Sequence, residues 1–143
     1  MSIEQGLVSL IQSGIGSLAP GGYAATVPET NQVTAANPKA WTYRTIISMP
    51  TYVLEGEDLL TELELQIDCH GYTMDDAILL AKAIKSALRA AAPTGGSPLV
   101  LSDPDNTVVQ GIFRRAPHLD GYSDANRTYV RTLEYLVTYY DQQ

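Results

Sequence analysis

The chain has 143 residues, 45% of them hydrophobic and 17% charged, with one Cys, nine Tyr and a formal charge of −7; this is the make-up of a single soluble globular domain, since two well-packed domains need more chain. The acidic balance excludes a phosphate-binding surface, which gains affinity by releasing counterions to Lys and Arg, so direct nucleic-acid recognition is not expected. A lone Cys excludes an internal disulfide framework, and the opening MSIEQGLVSLIQSG, with an early acid and spaced apolar residues, reads as neither an export signal nor a membrane span.

Ser2 with Gln5 three residues on resembles a capping box, and Ile3, Leu7, Leu10 and Ile11 recur at helical spacing, which predicts a helix from about Ile3 to Gln12. Gly14, Gly16, Pro20, Gly21 and Gly22 should end it. The Gly14 to Ala19 stretch formally fits a dinucleotide fingerprint, but it follows a helix where the fingerprint requires a strand. Tyr23 to Val27 is a short candidate strand. PETNQVTAANPKA, residues 28–40, is poor in large apolar side chains and reads as a long loop.

Trp41 to Ser48 is aromatic and β-branched, hence a strand, which Pro50 should break. Next, Leu63, Leu65, Ile67 and Cys69 alternate with Glu62, Glu64, Gln66 and Asp68, the pattern of a strand with one buried face. A tight turn at His70-Gly71-Tyr72 leads to Thr73, whose hydroxyl can cap a helix carrying Asp75 and Asp76 in its first turn. Ala77, Leu80, Ala81, Ile84 and Leu88 lie on one face of that helix, which should run from Met74 to Ala91 and stop before Pro93. Leu99 to Leu101 is a short strand, Asp103 to Asn106 a turn, and TVVQGIFRR another strand. Residues 114–127 contain HLDGYSDAN and read as a polar loop before a long last strand, Thr128 to Tyr140.

In that last strand Tyr129, Leu133, Tyr135, Val137 and Tyr139 share one face, while Val130, Leu136 and Tyr140 make the other partly apolar. A strand that is apolar on both faces needs cover on both. Two helices supply one cover, so a neighbouring subunit is the simplest cover for the other, with a folded-over loop of the same chain as the alternative, and Val130, Leu136 and Tyr140 are the candidate contacts.

The triplet Asp68-Cys69-His70 carries the residue types of a thiol nucleophile, or of a metal site completed by His118 and Asp120. Consecutive strand residues point to opposite faces, however, so Cys69 should turn inward and Asp68 and His70 outward. The stripe Glu62, Glu64 and Asp68 is more simply a solvated face than a set of paired acids and bases, because the alternating strand offers no His or Arg to divide the roles. No zinc spacing, phosphate loop or nucleophile elbow occurs, and no cofactor is expected.

From the short first helix through the PTYVLEG turn, the passage LQIDCHGYTMDDAILLAKAIKSAL and the tyrosine-rich last strand, the layout resembles the tail-completion proteins of long-tailed bacteriophages. That group includes tail-terminator, head-tail joining and minor tail protein U-like members. The resemblance implies an α+β fold over residues 1–143, with a mainly antiparallel four- to five-stranded sheet and two helices packed on one face. It further implies a non-enzymatic protein of the virion tail, made in the host cytoplasm, forming a homo-oligomeric ring of about six subunits. Its implied neighbours are the tail-tube protein and the head connector or neck protein, with DNA passing through the channel unbound. Glu62, Glu64 and Asp68 would then be candidates for the channel lining. A neck adaptor of the same particle is the alternative, and a small hydrolase or metal-binding protein using Cys69, His70 and His118 a more distant one.

Overall fold

The computed structural model describes residues 2–16, 18, 21–24, 33–47, 51–52, 59–93, 99–101, 107–123 and 128–141. In chain order the elements are α1 (Ser2–Ile15), β1 (Gly21–Ala24), β2 (Lys39–Ile47), β3 (Thr51–Tyr52), β4 (Leu59–Gly71), α2 (Met74–Ala91), β5 (Leu99–Val100), β6 (Val108–Ser123) and β7 (Thr128–Asp141). The strands make one sheet in the order β1-β2-β4-β7-β6-β5, with β3 also on β4. Only β1 and β2 pair in parallel. The fold is therefore α+β and mainly antiparallel, with four long strands extended by three short ones.

The alternating stretch forms the central strand, β4. Leu63, Leu65, Ile67 and Cys69 are buried beside Trp41 of β2 and beside Leu133, Tyr135, Val137 and Tyr139 of β7. Helix α2 covers this face with Ala77, Leu80, Ala81, Ile84 and Leu88, and α1 adds Ile3, Leu7, Ile11 and Ile15 to the same cluster. Full burial of a Leu or Ile contributes about 1.5–3 kcal/mol. This face is consequently the main source of stability.

Local chemistry sets where the helices begin and end. The Thr73 hydroxyl accepts from the Asp76 amide at 3.3 Å, and the Thr73 amide donates to the Asp76 carboxylate at 3.2 Å, closing a capping box. α1 runs past the expected Gln12 to Ile15, because Gly14 sits within the helix where a side chain would collide with Ala87 of α2. Its end is Gly16, which takes φ 61°, a conformation that glycine adopts without penalty, and donates to the Gln12 carbonyl at 3.0 Å. Gln12 also accepts from the Trp41 indole N–H at 3.1 Å, tying the end of α1 to β2.

Two expected loops are corrected. Residues 114–123 are not loop: β6 continues through them to Ser123, paired with β7. The register slips between Arg114 and Ala116 and again between Ala116 and Leu119, which accommodates Pro117, a residue with no N–H for the ladder. The stretch is polar because it lies at the outer side of the sheet, where its side chains are largely exposed. In the 28–40 stretch, Lys39 and Ala40 already belong to β2, and Thr34 and Asn37 bond to each other in a turn; residues 28–32 lie outside the described residues. His70 and Gly71 likewise extend β4 instead of forming a turn, because both pair with β2 and β7.

β3 continues along the β4 edge that β2 uses, since β7 occupies the other. From Ile47 to Thr51 the chain advances four residues while its partner advances three, Leu63 to Leu60. The expected break at Pro50 lies outside the described residues, and the pairings on its two sides differ by one residue. The expected turn at 103–106 lies outside the described residues, but Leu101 donates to the Thr107 carbonyl at 2.9 Å, holding its two ends together.

Candidate assembly surfaces

The sheet face turned away from the helices differs between its two ends. At one end Ala40, Thr42, His70, Thr128 and Val130 are buried. His70 was expected to point outward, and it does lie on the face opposite Cys69, yet it is only 3% exposed. Its Nε2 lies 3.0 Å from the Thr42 hydroxyl and its Nδ1 2.9 Å from the Thr128 hydroxyl. A neutral imidazole has one donor and one acceptor, so one hydroxyl donates to it and the other accepts. The ring therefore links β2, β4 and β7 side by side.

Burial lowers the His70 pKa from its ordinary value, against a smaller opposing influence of Asp68. As pH falls through about 6.5 the unfolded chain takes up the proton first, so folding stability declines below that pH, by at most about 1.4 kcal/mol per pH unit for one proton. Urea titrations between pH 7 and pH 5 should show a steeper loss for the wild type than for His70→Gln. Equal slopes would mean that His70 is not held neutral.

Further along this face the acidic stripe is engaged. Glu64 is ion-paired with Arg115 of β6, and Asp68 accepts from the Thr132 hydroxyl at 2.7 Å. Arg44, Glu64, Gln66, Arg115 and Glu134 line a shallow hollow of about 270 Å³. Its opposite charges stand close enough to neutralise one another, so a bound ion has little to gain here.

Of the three candidate contacts on β7, Val130 is buried beside His70 and Leu136 is half-buried between Glu64 and Phe113, while the Tyr140 side chain lies outside the described residues. The larger exposed apolar groups on this face are on β6. Phe113 pairs with Leu136 and is 57% exposed; Leu119 pairs with Thr132 and is 65% exposed. Phe113 and Leu136 stand to one side of the charged hollow and Leu119 to the other, with Glu134 between them along β7. Reading residues 114–127 as loop hid Leu119, whose alternation with Asp120 was the available signal.

The residues of the thiol or metal reading are not brought together. Cys69 is fully buried under α2, and burial raises its pKa, followed by the nearby Asp68 charge. The thiolate, the reactive form, is thereby disfavoured. His70 occupies the opposite face. His118 and Asp120 lie on β6, where Asp120 is held by Arg131 at 2.8 and 3.0 Å. Among the described residues, no cluster of three His, Cys, Asp or Glu is placed to hold a metal.

No family model and no curated protein matches the sequence. Among solved structures, a chain from the virion of a native gene transfer agent particle aligns with a TM-score of 0.59, covering 98% of this chain and 96% of that one at 11% identity. The two chains share a fold. The likeness takes in nearly all of both chains, helices and sheet together. At this identity the likeness transfers no individual residue, so the surfaces above rest on their own chemistry.

Proposed function

We propose that this protein is a structural component of a phage virion, forming a ring of about six copies at the head-proximal end of the tail. There it ends growth of the tail tube and offers the docking surface for the head connector or neck protein. The observation that carries this reading is the two-way, near-complete fold match to a virion chain of a gene transfer agent. The exposed Phe113 and Leu119 support it, because a monomer gains nothing from keeping such groups in water while a neighbouring subunit would cover them. On this reading the protein is not an enzyme and uses no cofactor. DNA passes through the ring without specific binding.

Negative-stain images of the purified protein should show rings with a central hole, and light scattering should give about six times the chain mass. A strictly monomeric protein that is also absent from assembled particles would overturn the proposal. Gold-labelled antibody on whole particles should mark the tail side of the head-tail junction; label in the neck itself would replace terminator by adaptor.

A further inference from the structure

One stretch of this chain is purely acidic. Between Arg44 and Lys82 the sequence holds eight Asp and Glu and no Lys or Arg, with Glu55, Glu57 and Asp58 as its densest acidic run. Of the bases that follow, Arg115 pairs with Glu64 and Arg131 with Asp120, while three others meet at the edge of α2. Lys85 and Arg89 of α2 and Arg114 of β6 line a pocket of about 220 Å³ whose floor is Leu88, Ile112 and Tyr135.

We propose that this basic, apolar-floored pocket receives the acidic 55–58 segment of a neighbouring copy, making the contact that repeats around the ring. The inference rests on the ring reading above and adds which surfaces meet. A head-to-tail contact needs two different complementary patches on each subunit, and the acidic run and the basic pocket supply them. Among the described residues no carboxylate pairs with Lys85 or Arg89, and the nearby Asp120 is already held by Arg131. Burial lowers the Lys85 pKa, and Arg114 and Arg131 push it in the same direction, so an incoming carboxylate relieves like-charge repulsion as well as gaining its own attraction.

The test is a charge swap read by analytical ultracentrifugation and microscopy. Lys85→Glu/Arg89→Glu should fold, since it places carboxylates beside Arg114 and Arg131, but should raise the concentration for half-assembly by about tenfold to a hundredfold. Glu55→Lys/Glu57→Lys/Asp58→Lys should do the same, and the combined variant should regain assembly. Rings that form normally from the pocket variant overturn the pocket as a contact. Loss in both variants without rescue overturns the choice of the 55–58 segment. A wild type that never assembles overturns the ring itself, an outcome distinct from the other two. If a variant is unfolded by circular dichroism, Arg89→Glu alone, at an exposed position, decides the pocket arm, with normal assembly counting against it.

Discussion

Phe113→Asp/Leu119→Asp should remain monomeric under conditions where the wild type assembles, while keeping its fold. Both side chains are more than half exposed, so the monomer loses little when they are replaced. Substitutions at such surface positions change stability by roughly 0.5 kcal/mol or less, which for a chain of this size is about 2 °C in Tm. An apolar group buried at the centre of an interface is worth more, about 1–2 kcal/mol or above, and each new carboxylate adds a desolvation cost on association. The half-assembly concentration should therefore rise by at least about a hundredfold. Phe113 has one further contact to weigh: its ring lies over Gly111. Leu119→Asp alone lacks that complication and should still weaken assembly measurably. Unchanged rings from the double variant would remove the open face of β6 from the interface.

Gly71→Val should cost the protein about 3 kcal/mol or more, on the order of 10 °C in Tm, or leave it insoluble. Here β4 meets the start of α2, and a Cβ at residue 71 would fall 2.5 Å from the Thr73 carbonyl oxygen and collide with the Ala77 amide. Both are backbone atoms of the capped first turn, so relief would require pulling the helix away from the strand. Gly121→Val is the matched control, since a Cβ there meets nothing within 4 Å. Thermal melts of the two variants should differ widely; similar melting temperatures would show that the strand-to-helix corner is looser than the structure places it.

Period and caps made most of this architecture legible. The Glu62 to Cys69 alternation placed the central strand and its buried side, and Thr73 with the Ala77 to Leu88 stripe placed α2 with its observed ends. What escaped were features decided by partners far away in sequence. Gly14 looks like a helix stop until Ala87 is found packed on it. HLDGYS, residues 118–123, looks like loop because an outer strand can be polar on both faces, its order coming from the β7 ladder and not from burial. His70 was assigned the right face, but local sequence could not show that Thr42 and Thr128 close over that end. The proposed assembly surface turns on the same kind of distant pairing: the sequence pointed to Val130, Leu136 and Tyr140 of β7, while the most exposed apolar groups on that face, Phe113 and Leu119, belong to the neighbouring strand.

The position of β4 also dictates an order of events during synthesis. It pairs with β7 along its whole length, and Leu59 finds its partner at Asp141, 82 residues later. Loop closure over such a distance contributes no native contacts until the later strand exists. A ribosome-bound chain that has emitted α1, β2, β4 and α2 therefore displays the central strand with one edge bare and half of its buried face uncovered. Such an intermediate invites pairing with foreign strands. Release of residues 128–141 ends that exposure, which makes the last strand the step that commits the nascent chain to its own fold.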